Sequence, residues 1–160
     1  NIGSVASFTS NGKDNYKKDL ARIAMSYPHV YVASVNIGYN KEQYLKAIKE
    51  ASLHNGPSLI IAYSPCIEHG IKTGMQHSQS NGYLATKCGY FLTFRYNPDT
   101  KKFSLDSKEP EFDKYEDYLM TENRFASLVR KDKERASLLL EEQKQWAIDR
   151  YNYYKKISEE

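Results

Sequence analysis

Cys66 is the residue of this 160-residue chain whose type and position point most directly to chemistry. A short apolar run, Leu59 to Ala62, begins just after Gly56 and Pro57 and ends four residues before Cys66. Such a run predicts a strand that is covered on both faces, as in a parallel sheet flanked by helices. Ligands of these sheets bind beyond the carboxyl ends of the strands. We therefore expect Cys66 to lie where an α/β domain does its chemistry.

The neighbours of Cys66 favour presentation of its side chain at the strand end. Pro65 has no N–H and restricts Ser64 to an extended conformation, and the amides of Ile67 and Glu68 are then expected to point towards the sulfur. A thiolate in this position can ligate an iron–sulfur cluster, which takes four such ligands. From the residue alone, a small buried thiol is the more frequent state of an unpaired cysteine. Both interpretations stay open at this level.

Several separate motifs add information to this single residue. The longest, YSPCIEHGIKTGM, covers residues 63–75, and shorter ones are KKDLAR at 17–22, VYVA at 30–33, SQ at 78–79, CGY at 88–90, RYNP at 95–98 and LDSKEP at 105–110. Together they resemble the late part of the pyruvate:ferredoxin (flavodoxin) oxidoreductases, and the likeness covers most of residues 3 to 130.

The resemblance implies a fold and a set of cofactors. The chain would be the second half of an α/β thiamine diphosphate-binding domain, a parallel sheet flanked by helices over residues 1–110, with a helical C-terminal extension over residues 111–160 packing on it. Cys66 would be the last of four thiolates that hold a [4Fe-4S] cluster, with three cysteines supplied from upstream. Thiamine diphosphate and Mg²⁺ would be anchored mainly outside this stretch, because no Gly-Asp-Gly segment is present and the matching Asn motif would precede Asn1.

The resemblance also implies an activity for an intact enzyme. Such an enzyme would decarboxylate pyruvate oxidatively with CoA to acetyl-CoA and CO2, passing electrons through [4Fe-4S] clusters to ferredoxin or flavodoxin. We expect no catalytic residue within these 160 positions, no activity from this stretch alone, contacts with the rest of the same polypeptide, and a homodimer. The expected location is the cytoplasm, or a hydrogenosome-like organelle in a eukaryote. Two alternatives are a pyruvate:NADP oxidoreductase homologue and a non-catalytic α/β interaction module with a buried Cys66.

Composition restricts the remaining function classes. The chain has 23 basic and 20 acidic residues, a formal charge of +3, which is too even a balance to indicate nucleic acid or an anionic membrane as a partner. No apolar run approaches the roughly 18 residues of a membrane-spanning helix. The two cysteines do not form the framework of a disulfide-rich fold.

Other polar residues near Cys66 carry weaker predictions. Cys88 lies near a predicted helix end, where we expect it to pack. His69 and His77 follow Cys66 closely, but this spacing lacks the second ligand pair of a structural zinc site, so His69 is expected to orient its turn by hydrogen bonding. A tuning role for His69 at the cluster is a further hypothesis. The turn at residues 36–40 follows a strand and either faces a cofactor or caps the next helix, and the cap is favoured.

Periodicity and breaking residues predict the elements that position these groups. A helix is predicted from Lys17 to Met25, with Leu20, Ile23 and Ala24 on one side. A buried strand from His29 to Val35, a helix capped by Asn40 and the strand before Cys66 are predicted to form a right-handed parallel crossover. The predicted inward face of this helix is Tyr44, Leu45, Ile48, Ala51 and Ser52. The further predicted elements are a helix at 77–88 interrupted by Gly82, a strand at 91–96, a turn at 97–99, mostly helix from 111, and a long helix at 133–157. The apolar stripe predicted for this last helix is Ala136, Leu140, Ala147, Tyr151 and Tyr154.

Overall fold

Four strands and six α-helices make up the part of the chain that the structure describes. The structure is a computed structural model, and it describes residues 2–6, 9–68 and 70–159. In chain order the elements are α1 (Leu20–Met25), β1 (Tyr31–Val35), α2 (Lys41–Leu53), β2 (Ser58–Ala62), α3 (Ser78–Lys87), β3 (Phe94–Asn97), β4 (Lys102–Leu105), α4 (Tyr115–Thr121), α5 (Asn123–Lys131) and α6 (Lys133–Glu159). Short 3-10 turns at Met75–His77 and Phe112–Lys114 precede α3 and α4. None of the helices in the described ranges combines the length and apolarity needed to cross a membrane.

The four strands form one sheet in the order β2-β1-β3-β4. β1 and β2 are parallel, as the strand–helix–strand pattern predicts, and the α/β class is confirmed. β3 pairs antiparallel with β1, and β4 antiparallel with β3, so the sheet is mixed rather than wholly parallel. The sequence analysis did not predict β4. The turn between β3 and β4 is four residues long, and so short a connection joins only antiparallel strands.

Burial differs between the two parallel strands. Every residue of β1 is buried, as predicted. The prediction that the strand before Cys66 is covered on both faces is wrong for the described chain, because Ser58 and Ala62 are exposed and the three residues between them are half-buried. β2 lies at the end of the strand order, so one of its edges has no strand beside it among the described residues.

The helix between these strands begins as predicted. The side chain of Asn40 accepts a hydrogen bond from the backbone N–H of Gln43 at 3.0 Å, which caps α2. The predicted inward face of α2 is only partly correct, because Tyr44 and Ala51 pack on the β1 side chains while Leu45 is 65% exposed.

The first helix is shorter than predicted and shows a different face to the sheet. It begins at Leu20, after the side chain of Asp19 accepts from the Arg22 N–H at 3.2 Å. Its buried residues are Ala21 and Ala24, whereas Leu20 and Ile23 are 53% and 50% exposed. The two alanines have the small side chains that allow α1 to lie close to the sheet, and this leaves the larger apolar side chains outside.

The long last helix packs on the opposite end of the sheet. Tyr154 of α6 stacks on Phe94 of β3 at 4.5 Å and on Phe103 of β4 at 5.4 Å between ring centroids. Ala147 and Tyr151 are also buried, which confirms the predicted apolar stripe of this helix. The boundary proposed at residue 110 stays a prediction, although α6 and the sheet share this core cluster.

Gly82 is buried in α3 against the end of β1. Because glycine weakens a helix by about 1 kcal/mol relative to alanine, propensity alone makes Gly82→Ala stabilising. A Cβ at this position would lie 2.9 Å from Oδ1 of Asn36, whose amide donates to the Gly82 carbonyl at 2.7 Å and to Thr86 at 2.8 Å. Asn36 has no room to move without breaking these bonds.

We therefore expect Gly82→Ala to lower the free energy of unfolding by about 1–2 kcal/mol, since overpacking outweighs the gain in helix propensity. Urea unfolding measures the change. Ser80→Ala on the exposed face of the same helix is the control and should stay within about 0.5 kcal/mol of the parent chain. A Gly82→Ala chain that is more stable than its parent would show that Asn36 yields freely.

A charged network ties α2 to β3 and to the residue after β4. Arg95 donates to both carboxylate oxygens of Asp106, at 2.9 and 2.8 Å, and to Glu50 at 2.6 Å, while Tyr31 donates to Glu50 at 2.9 Å. Partial burial opposes ionisation of Glu50, but the hydrogen bonds from Arg95 and Tyr31 outweigh it and hold the pKa of Glu50 below its ordinary value. The ionised form of Glu50 is therefore the stabilising one.

The stabilisation from Glu50 should depend on pH in a defined direction. A depressed pKa in the folded state adds stability above the ordinary pKa of 4.5, and this stability is lost as the pH falls through the folded-state value. We expect Glu50→Gln to reduce the free energy of unfolding by about 1 kcal/mol at pH 7, and the difference from the parent to vanish in acid. Urea unfolding between pH 3 and 7 measures it, with the exposed Glu142→Gln as control. A difference that persists unchanged at pH 3 would contradict the role of the ionised carboxylate.

Candidate functional site

Cys66 lies in a loop four residues beyond the carboxyl end of β2. Cys66 as a residue is half-buried. Its carbonyl accepts from the Gly70 N–H at 2.8 Å, which closes a turn as the sequence predicts. Beyond this turn, the Lys72 N–H donates to the Thr121 carbonyl at 2.7 Å, so the loop is attached to the end of α4. The chain thus presents this thiol from a loop that is fixed at both ends.

Cys88 occupies a different environment. It is 1% exposed in a cluster with Ala85, Tyr90 and Tyr115, and its thiol donates to the Ala85 carbonyl at 3.5 Å. Burial raises the pKa of the Cys88 thiol to about 12. Its predicted packing role is confirmed, and the two cysteines form no disulfide with each other.

The histidines near Cys66 add little to a metal site. His69 lies outside the described residues, so its expected hydrogen-bonding role stays a prediction. His77 ends the 3-10 turn before α3. Across the described ranges, no group of three or more histidine, cysteine, aspartate or glutamate side chains is placed to hold a metal ion. A [4Fe-4S] cluster takes four thiolates. Cys66 could supply one of them, and the other three would have to come from elsewhere.

The turn at residues 36–40 follows β1 and serves as a helix cap. The Gly38 N–H donates to Oδ1 of Asn36 at 3.1 Å, and Asn40 caps α2. Gly38 also lies against the first turn of α3, because a Cβ on it would be 2.3 Å from the carbonyl oxygen of Gln79. The favoured interpretation of this turn is confirmed, and glycine is required by the close approach.

A buried hydrogen-bond chain that sequence reasoning missed begins at the end of β2. The Tyr63 and Tyr118 hydroxyls are 2.8 Å apart, and Tyr118 donates to Glu122 at 2.7 Å. Glu122 is 2% exposed and accepts from Nε of Arg124 at 2.5 Å. Burial raises the pKa of Tyr63 and of Tyr118. The spacing of Tyr118 and Glu122, four residues apart on a predicted helix, was the signal that could have found the pair.

A cavity of about 620 Å³ opens beside these groups at the carboxyl ends of β1 and β2. We call it the strand-end cavity. Tyr63 and Ser64 line it, together with Ser34 of β1, whereas Cys66 does not. The predicted thiol therefore lies next to the cavity rather than within it. Ligands collect at such strand ends in open α/β sheets.

Comparison with known proteins identifies relatives along almost the whole chain. The chain is 41% identical over 164 residues to the pyruvate-flavodoxin oxidoreductase of Klebsiella pneumoniae and 44% identical over 162 residues to the pyruvate:ferredoxin oxidoreductase of Moorella thermoacetica. These matches cover 99% and 98% of the chain. The resemblance to pyruvate oxidoreductases is confirmed. No protein-family model matches the chain.

The matches also show how much of each relative's length the chain covers. The chain spans 14% of the length of both pyruvate oxidoreductases. It is also 39% identical, over 99% of its length, to a protein named pyruvate dehydrogenase [NADP(+)] from Cryptosporidium parvum, of which it spans 9%. This chain is therefore similar to one segment of proteins that are many times longer.

The two thiols should differ sharply in reactivity in the folded chain. We expect N-ethylmaleimide to modify Cys66, which is half-buried in a surface loop, while Cys88 reacts only after unfolding, because its thiol is buried and its pKa is raised. Mass spectrometry of tryptic peptides with and without denaturant measures both sites. Equal modification of the two cysteines in the native chain would contradict this arrangement.

Proposed function

We propose that the chain is part of a 2-oxoacid oxidoreductase that converts pyruvate and CoA oxidatively to acetyl-CoA and CO2. The observation that carries this proposal is the identity of 41–44% with two pyruvate oxidoreductases along nearly the whole chain. The position of Cys66 beyond the carboxyl end of β2 supports it independently, because cofactors of α/β domains gather there. The electron acceptor would be ferredoxin or flavodoxin, which the names of the relatives contain, and [4Fe-4S] clusters would carry the electrons to it.

Cys66 is the residue that we propose as a ligand of one [4Fe-4S] cluster. When bound, such a cluster carries single electrons at a potential set by charge, hydrogen bonds to sulfur and access of water. The contribution of this chain would be to fix one thiolate, and the backbone bonds from Gly70 and Lys72 hold its loop in place. Cys88 is unsuited to the same role, since it is 1% exposed within the cluster of Ala85, Tyr90 and Tyr115 and its thiol donates to the Ala85 carbonyl.

The remaining cofactors belong to the proposal for the whole protein. Thiamine diphosphate and Mg²⁺ would supply the decarboxylation chemistry, and no residue of this chain is assigned to either. CoA as co-substrate, a homodimeric assembly and a cytoplasmic location likewise remain proposals. None of them rests on a contact within the described residues.

The surface around β2 supports contact with other parts of the same polypeptide. One edge of β2 has no neighbouring strand among the described residues, and large apolar side chains project from the helices on both sides of it. On α1 these are Leu20 and Ile23, with Tyr27 beyond the helix end, and on α2 the most exposed are Leu45 and Leu53. Exposed apolar groups on helices that pack against a strand with an open edge are typical of a surface that is covered by further protein.

The electron acceptor has a second candidate. Similarity to the pyruvate dehydrogenases [NADP(+)] of Cryptosporidium parvum and Euglena gracilis, at 39% and 37% identity, also supports an enzyme that delivers electrons to NADP. Both candidates use the same segment, so they differ in parts of the protein outside it. Assays of the full-length protein with ferredoxin, flavodoxin and NADP distinguish them.

Replacement of Cys66 in the full-length protein tests the proposal. We expect Cys66→Ser to lose the iron and acid-labile sulfide of one cluster, about four atoms of each per protomer, together with most pyruvate-dependent acceptor reduction. Iron and sulfide analysis and electron paramagnetic resonance measure the loss. Cys88→Ala is the matched control, and it should keep its iron because Cys88 has a packing role.

Two results would count against this assignment. Full iron content with parent-like acceptor reduction in Cys66→Ser would remove Cys66 as a ligand. A full-length protein without iron, sulfide or pyruvate oxidation would favour the non-catalytic module instead.

A further inference from the structure

The loop that carries Cys66 is held at both ends by one residue, Glu122. This residue joins α4 to α5 and is 2% exposed. Its backbone is extended, with φ −103° and ψ 127°, and it forms an isolated antiparallel bridge with Ile71. Two backbone hydrogen bonds, of 2.7 and 3.4 Å, join residues 70–72 to residues 121–123 around this pair. The backbone of Glu122 therefore fixes the far end of the loop.

The side chain of Glu122 holds the start of the same loop. Tyr118 donates to Oε1 of Glu122 at 2.7 Å, and the hydroxyl of Tyr63, the first residue after β2, lies 2.8 Å from that of Tyr118. Because the single proton of the Tyr118 hydroxyl is used on Glu122, the Tyr63 hydroxyl is the donor in this pair. Tyr63 and Ile71 are eight positions apart and flank Cys66. One residue thus fixes both ends of the segment that bears the thiol.

The carboxylate of Glu122 is itself held on both of its oxygens. Oε1 accepts from Tyr118, whereas Oε2 pairs with Arg124, which also donates to the Tyr90 hydroxyl at 3.1 Å. Burial of a carboxylate is costly unless it is paired and hydrogen-bonded, and Glu122 has both kinds of partner. The position of this buried carboxylate is therefore well defined.

The tyrosines of this chain contribute hydrogen bonds as well as packing. Burial raises the pKa of Tyr63 and of Tyr118, so both hydroxyls keep the protons that these bonds need. The ring of Tyr63 contacts Phe91 with centroids 5.3 Å apart, and a phenylalanine would keep that contact. A buried network whose members are all satisfied is directional and specifies one arrangement of its parts. The hydroxyl of Tyr63 therefore fixes the start of the loop more strictly than its ring alone.

We propose that Glu122 is a positioning residue that sets the place of the Cys66 thiol. Between the two anchors, the Cys66 carbonyl accepts from the Gly70 N–H at 2.8 Å, and only two residues separate Cys66 from Tyr63. A shift at either anchor would therefore move the thiol. The importance of this position for a [4Fe-4S] cluster rests on the proposed function, since residues behind a metal ligand orient it and tune the metal centre. The anchoring of the loop does not rest on it.

Hydrogen exchange of the full-length protein, followed by mass spectrometry on peptides that span residues 64–74, tests the anchoring. We expect Tyr63→Phe, which removes one hydroxyl and keeps the ring, to speed exchange in this segment about tenfold, and Glu122→Gln to speed it at least as much. Tyr115→Phe removes a hydroxyl from the same buried cluster but outside this hydrogen-bond chain, and should leave the exchange unchanged. Glu50→Gln, which weakens a separate network, is the control for a general loss of stability.

The same variants of the full-length protein report on the thiol itself. We expect Tyr63→Phe and Glu122→Gln to release iron to a chelator faster than the parent, and to shift or broaden the electron paramagnetic resonance signal of the reduced cluster. Tyr115→Phe and Glu50→Gln should match the parent in both measurements. A merely structural effect would follow global stability, and Glu50→Gln would then resemble Glu122→Gln.

Two results would overturn the proposal. Unchanged exchange in residues 64–74 of both Tyr63→Phe and Glu122→Gln would show that Glu122 does not hold the loop, whatever the loop binds. Faster exchange with parent-like iron release and an unchanged resonance signal would show that the anchoring does not set the thiol. Failure of the proposed function is a separate result, namely a Cys66→Ser protein that keeps all its iron. The exchange measurement then decides by itself whether Glu122 positions the loop.

Discussion

Complete burial of β1 is the constraint on which the rest of the structure depends. All five of its residues are buried, and the strand has β2 on one side and β3 on the other. Each face therefore needs a helical cover, which α2 supplies on one face and α1 on the other. Polar side chains inside this layer are satisfied locally, as when the Ser34 hydroxyl donates to the Leu92 carbonyl at 2.6 Å. The parallel register of β1 and β2 then carries both strand ends, and the loops that follow them, to the same edge.

The candidate site inherits its geometry from that shared edge. Tyr63 continues directly from β2 and joins the buried chain through Tyr118 to Glu122, so the strand end is connected to α4 and α5. The loop that holds Cys66 returns to the same helices through Lys72. A thiol offered to an iron–sulfur cluster needs this kind of rigid support, because the position of the ligand affects the redox potential.

The sequence predicted the elements that local residues specify. Asn40 predicted the cap of α2, and Gly56 and Pro57 predicted the start of β2. The apolar stripe of α6 predicted the face of that helix that packs on the sheet. These signals depend on neighbours in the chain, which a single sequence displays. The position of Cys66 beyond the end of β2 followed from them.

Features that depend on distant partners were harder to predict. β3 pairs with the edge of β1 that β2 leaves open, and β4 then pairs with β3. The face that α1 turns inward depends on the space above the sheet. Lys17, Arg124 and Arg150 line the strand-end cavity from three separate stretches of the chain, so no local pattern predicts that they share it. In the sequence, Gly82 only weakens a helix. The structure explains the glycine by its close packing against Asn36, 46 positions earlier in the chain.

The near contact of Gly38 with Gln79 has a mechanical consequence. One loop leaves β1 through Gly38, and the other leaves β2 through Cys66 and enters α3 one residue before Gln79. With backbone touching backbone, neither loop has slack to shift towards the other. A displacement of the loop at Gly38 towards α3 should therefore move α3, and with it the segment that bears the Cys66 thiol.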